Sequence, residues 1–110
     1  MDLRGLQQRA LETAALYDRH NEAAGRGAWS PDDFMMGFVG DVGDLAKLVM
    51  AVEGRRDIPD ARAWLGHELA DCLWSVLVLA HRYDVDLESE FARMTADIER
   101  HLADNPPDHR

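Results

Sequence analysis

The sequence predicts an all-α fold, and three observations carry that prediction. Four segments repeat their apolar residues at intervals of three and four, and none sustains the strict alternation of a half-buried strand. The segments are separated by glycine, proline and aspartate at positions suited to starting or stopping helices. The chain of 110 residues fits one domain, 1–103, followed by a flexible tail at 104–110 that opens on Asp104-Asn105-Pro106-Pro107.

The first helix is expected from about Asp2 to Ala24, with Leu3, Leu6, Ala10, Leu11, Ala14 and Tyr17 on one face and Gly25-Arg26-Gly27 as the stop. The second opens on Ser30-Pro31-Asp32-Asp33. Serine suits the N-cap, proline the first turn, and the aspartates favour the positive end of the helix dipole. It continues to about Glu53 and stops at Gly54, with a core stripe of Phe34, Phe38, Val42, Leu45, Val49 and Val52. Arg55–Pro59 is an exposed loop. Asp60 caps a third helix to about Arg82, Tyr83-Asp84-Val85 makes a turn, and Asp86 caps a fourth helix through about Ala103.

Helix three is the most apolar. Between Leu69 and Ala80 only Asp71 and Ser75 are polar, so the segment is apolar nearly all round and calls for neighbours on every side. A chain this small rarely encloses one of its own helices, so the expected architecture is a four-helix bundle completed by dimerisation. The same stretch is too short to span a bilayer. A net charge of −9 argues against a nucleic-acid partner. One cysteine, Cys72, permits no intrachain disulfide, and the first residues lack the apolar core of a signal peptide. A cytoplasmic location is therefore expected.

Two acidic pairs, Asp41 with Asp44 and Glu68 with Asp71, are spaced i, i+3 and so project from one side of a helix. Such pairs are no commoner here than chance allows in an acidic chain, so their placement carries the meaning. Asp41 lies beside the core stripe of helix two, Asp44 lies further round, and Leu48 points between them. Glu68 and Asp71 share a sector with Trp64 and Ser75 inside the apolar helix. Carboxylates at the border of a core are costly unless paired, protonated or metal-bound, and the nearest base, Lys47, points further outward. Two readings stand: solvated helix edges, or a site where carboxylates share a hard divalent cation. His67 and His81 read as capping or solvated, Cys72 as an inert thiol, and Trp74 as core. Trp29 reads either as a staple against helix two or as a platform for a base, and Trp64 as a pocket wall or an interface residue.

Phe38-Val39-Gly40-Asp41-Val42-Gly43-Asp44-Leu45-Ala46-Lys47 followed by Glu68-Leu69-Ala70-Asp71-Cys72-Leu73-Trp74 resembles the E-E-x-x-E … E-x-x-D signature of the MazG-like all-α nucleoside triphosphate pyrophosphohydrolases. Trp29 is similar to a tryptophan of their dCTP-pyrophosphatase-like branch. Tyr83-Asp84-Val85-Asp86-Leu87 resembles the turn before their last helix, and Arg93-Met94-Thr95-Ala96-Asp97-Ile98-Glu99-Arg100 resembles their K-M-x-x-N-x-x-R. The chain departs from the pattern with Gly40 in the first acidic position, aspartate at Asp41 and Asp44, and Arg93 and Asp97 for lysine and asparagine.

The resemblance implies Mg²⁺, with Mn²⁺ as substitute, held by Asp41, Asp44, Glu68 and Asp71. It implies a nucleoside triphosphate cut between its α and β phosphates. A carboxylate or a metal-bound hydroxide would activate the water, with Asp44 and Glu68 not separated for that role. Trp29, supported by Phe34 or Phe38, would contact the base, and Lys47, Arg93 and Asp97 the phosphates or metal. A homodimer or tetramer is implied. Phosphoribosyl-ATP pyrophosphohydrolase shares the scaffold. The departures also suit a catalytically silent helical dimer that binds metal or nucleotide as a regulator or adaptor.

Overall fold

A computed structural model describes residues 1–107. Within them four α-helices, and no strands, follow one another: α1 (Leu3–Ala23), α2 (Pro31–Val52), α3 (Ala61–Arg82) and α4 (Leu87–Asp104). The part of the expected tail at 108–110 lies outside the described residues, and Asp104 belongs to α4 rather than to a tail.

The termini of the helices follow from local chemistry. At α2 the Ser30 hydroxyl accepts from the Asp33 amide at 3.3 Å while the Asp33 carboxylate accepts from the Ser30 amide at 2.9 Å, a reciprocal capping box. Trp29 and Phe34, the residues flanking that box, close on each other with ring centroids 5.3 Å apart, which is the staple. Asp2 and Asp86 cap α1 and α4 through the amides of Gly5 and Ser89. Asp60 precedes α3 but makes no side-chain cap; its backbone is left-handed, with φ of 56°. The ends of α1, α2 and α3 are built alike. After α1 the amides of Gly25 and Arg26 turn back to the carbonyls of Glu22 and Asn21. Gly54 with Arg55, and Asp84 with Val85, repeat the arrangement after α2 and α3. The reversal needs a positive φ, met by Gly25 at 78° and Gly54 at 82°, and by Asp84 at 53°.

α3 is the central helix, packed extensively against α2 and less so against α1. Phe34 and Val78 are fully buried, with Ala10, Ala14 and Leu77 around them. The buried edge of α2 differs from the expected stripe. Leu48 is buried, whereas Val42 and Val49 are 43% and 46% exposed. The helix is therefore rotated so that Phe34, Asp41 and Leu48, spaced seven apart, face α3 along one seam. The rotation arises because α3 is the only helix that covers α2 substantially.

The fourth helix departs most from expectation. It has no buried residue, and Phe91, Met94, Ile98 and Leu102 form an exposed apolar stripe. The radius of gyration is 18.0 Å, against roughly 13 Å for a compact chain of this length. Three helices pack together, and α4 projects from them. The outer face of α3 is also open at Trp64, Leu69 and Leu73, so one chain does not surround the helix as its composition demands. By length and composition α3 could cross a membrane. Glu68 and Asp71 lie midway along it, and it packs on α1 and α2.

The Phe34 contacts predict a wide separation between two substitutions. Phe34→Ala should cost about 3–5 kcal/mol by urea denaturation, and Ser30→Ala, which removes only the cap, about 1 kcal/mol. Equal losses would show that the aromatic contacts do not organise the packing of α2 on α3.

Candidate metal centre and adjoining cleft

The rotation of α2 places Asp41 on the inner seam, and Glu68 sits on the facing seam of α3, seven residues before the buried Ser75. Carboxylate oxygens of Asp41, Asp44 and Glu68 all lie within 4.8 Å of one another. A second group, His67, Glu68 and Asp71, meets the same limit, so Glu68 belongs to both. The two i, i+3 pairs expected from the sequence thus face each other across the helix pair.

Electrostatics within the cluster are unfavourable. Burial raises the Asp41 carboxyl above its ordinary value, and Asp71 and then Asp44 raise it further. Burial likewise raises Glu68, followed by Asp71, Asp41 and Asp44. His67 opposes both shifts, its Nε2 lying 3.2 Å from Asp71 Oδ2 one turn along α3. Glu68 Oε2 is buried and has no hydrogen-bond partner, the sole such side-chain atom among the described residues. Native structures rarely leave a buried carboxylate oxygen unmatched. An all-oxygen triad with one oxygen unpaired suits a hard divalent cation, so the residues fit the expected Mg²⁺ or Mn²⁺, although the donor set does not by itself select between them.

A cleft of about 520 Å³ adjoins the acids, lined by Asp41, His67 and Asp71 towards one end and by Trp29, Phe34 and Trp74 towards the other. The aromatic end is held by ring contacts, two of them edge-on and one tilted. Phe34 lies 5.3 Å from both Trp29 and Trp74, and Tyr17 meets Trp74 at 5.9 Å. Trp74 Nε1–H donates to Thr13 Oγ1 at 2.8 Å, which fixes the ring between α1 and α3. Gly37 lets the Trp29 ring lie across α2, since a Cβ there would stand 3.3 Å from the indole. Trp29 is therefore both the staple and a cleft wall.

Not every expected residue reaches this place. Phe38 is half-buried outside the cleft lining, and Lys47 is exposed and outside it as well. Arg93 pairs with Glu90 and Asp97 with Arg100, all on the projecting α4, so neither residue joins the acids within one chain. Trp64 lies beside His67 rather than in the cleft. Conversely, His67, Asp18, Tyr17, Ser75 and Trp74 line the cleft without having been expected there. The i, i+4 spacing of His67 and Asp71 was the signal available for the first; the α1 residues carried none. Compared with models of protein families, with curated proteins and with solved structures, the chain matches none.

The raised carboxyls fix the sign of a pH effect. A carboxyl whose value is higher when folded than unfolded contributes stability that is complete below the unfolded value and lost as pH rises through the folded one. Asp41 and Glu68 therefore weaken the metal-free protein at neutral pH. Glu68→Gln should raise its melting temperature at pH 7 by roughly 2–5 °C, with the advantage vanishing near pH 4. The same variant should lose most of the stabilisation that Mn²⁺ gives the wild type, which approaches about 2.7 kcal/mol at a hundredfold excess over Kd. Calorimetric scans across pH, with and without Mn²⁺, check both effects.

Proposed function

We propose that the protein is a metal-dependent nucleoside triphosphate pyrophosphohydrolase of the MazG-like kind, acting in the cytoplasm on nucleotides or deoxynucleotides to release a monophosphate and pyrophosphate. One observation carries the reading: carboxylates of α2 and α3 converge around an unpartnered Glu68 oxygen beside an aromatic-walled cleft. Phe34 and Asp41 are seven residues apart, about 10 Å along the helix, comparable with the reach from a base to its α-phosphate.

In this reading Asp41, Asp44, Glu68 and Asp71 hold Mg²⁺, which when bound neutralises the polyphosphate and stabilises charge developing on the leaving group. Trp29, Phe34 and Trp74 enclose the base. Asp44 and Glu68 are the candidate proton acceptors, both belonging to the cluster of carboxylates that α2 and α3 bring together. Water attacks the α-phosphorus, its proton passes to Asp44 or Glu68, the new oxygen–phosphorus bond forms, and the bond from the α-phosphorus to the oxygen bridging to the β-phosphate breaks. Pyrophosphate leaves with that bridging oxygen and its electron pair.

Assembly belongs to the same proposal. The α4 stripe and the open face of α3 are the two apolar surfaces that a second copy would cover, and α4 carries Arg93. A homodimer would thus supply the enclosure that one chain lacks.

Incubation with nucleoside triphosphates and Mg²⁺ should release pyrophosphate and no orthophosphate. Glu68→Gln and Asp71→Asn should each lower the rate by about a hundredfold or more. No release from any triphosphate at saturating metal would overturn the enzyme reading in favour of a silent metal- or nucleotide-binding protein. Sedimentation at micromolar concentration should give a dimer or larger, and a stable monomer would overturn the assembly.

A further inference from the structure

Among the polar groups at the aromatic end of the cleft, Asp18 is the most constrained. It lies on α1 and lines the cleft with Tyr17, Trp29, Phe34 and Trp74. Its Oδ1 accepts from the Trp29 amide at 3.3 Å, and Arg82 Nη2 stands 3.9 Å from its Oδ2. Arg82 is itself seated over the Phe34 ring, its guanidinium carbon 5.3 Å from the centroid. The carboxylate is thus held from two sides, by Trp29 of the cleft wall and by Arg82, which stacks on the Phe34 ring. Each oxygen retains accepting capacity, and an ionised carboxylate only accepts.

Ser75 supplies a second polar group of opposite character. It is 3% exposed and lines the same cleft. The hydroxyl can donate or accept as required and does not discriminate between ligands. Asp18 cannot donate.

We propose that Asp18 is the specificity-determining residue of the cleft, selecting nucleotides whose base carries an exocyclic amine, such as cytosine or adenine, over counterparts with a carbonyl in that place, uracil or hypoxanthine. The inference rests on the pyrophosphohydrolase reading for the nature of the ligand. An amine offers the fixed carboxylate a hydrogen to accept. A carbonyl sets acceptor against acceptor in a partly dehydrated cleft, the kind of mismatch from which polar sites draw their largest discrimination.

The test is binding of α,β-methylene analogues of dCTP, dUTP, ATP and ITP in Mg²⁺, followed by quenching of tryptophan fluorescence, for the wild type and Asp18→Asn. The asparagine keeps the shape and an acceptor for the Trp29 amide, and adds a donor. The wild type should bind each amine-bearing analogue at least about tenfold more tightly than its carbonyl partner, and Asp18→Asn should abolish or invert that ratio. A purely structural role as a latch on the Trp29 segment would weaken both members of a pair together and leave the ratio unchanged, which would overturn the inference. Equal wild-type affinities, with pyrophosphate still released from the triphosphates, would overturn it while leaving the enzyme reading intact. Absence of both analogue binding and pyrophosphate release would overturn the two together.

Discussion

The structure is organised by a conflict placed on the seam between α2 and α3. Asp41 takes the seam position midway between Phe34 and Leu48, and Glu68 takes the facing one ahead of Ser75. Carboxylates within 4.8 Å of one another at the margin of an apolar core repel and are dehydrated together. Within the described residues only His67 compensates them, through its contact with Asp71. The apolar contacts at either side must outweigh this cost for the two helices to stay together. An unfavourable arrangement held in place by favourable packing is what a preorganised site requires, since the cost is met in folding rather than at the moment of binding. A divalent cation would turn the same oxygens from the least favourable feature of the pair into a strong stabilising one.

Phe34 links that conflict to the cleft. Its ring is buried, touched by Trp29 from the entry of α2, by Trp74 from α3 and by the Arg82 guanidinium beyond. Trp74 is in turn tied to Thr13 on α1, and Gln7 Nε2 donates to the Leu77 carbonyl at 3.2 Å. One aromatic side chain therefore sets the position of the α2 N-terminus, the contact with α1 and the wall of the cleft. The residues that stabilise the fold and those that shape the cavity are largely the same, so the cleft inherits the rigidity of the core.

Much of this was legible in the sequence, for local reasons. The four helices, the Ser30 cap and the glycine stops follow from short-range chemistry that a linear sequence displays directly, and the i, i+3 pairs announced carboxylates on one side of each helix. The rotation of α2 was not legible. Val42 and Val49 are as apolar as Leu48, and only the absence of a helix beyond α2 decides which of them faces inward. Asp60 looked like a cap, yet its left-handed backbone leaves the role unfilled. Asp18 and Tyr17 carried no signal because their role arises from the approach of α1 to α3, between residues some sixty positions apart, as with Thr13 and Trp74. Arg93 and Asp97 stand on a helix whose position one chain does not determine.

Assembly and chemistry meet at α4. A helix of 18 residues whose apolar stripe meets water gains little from burial, and its Glu90–Arg93 and Asp97–Arg100 pairs are exposed and contribute little. An amphipathic helix of this kind gains its stability by docking its stripe, and the face it leaves unpaired matches in character the open surface at Leu69 and Leu73 on α3. In the proposed dimer α4 would be held by a second copy, and the position of Arg93 relative to any acidic centre would be set by that contact. The acidic cluster, in contrast, is complete within one chain. Metal binding should therefore be a property of the single subunit, whereas any arginine contribution to phosphate binding would depend on assembly. An α4 variant that disrupts association would then separate the two, keeping the metal affinity while losing affinity for the triphosphate.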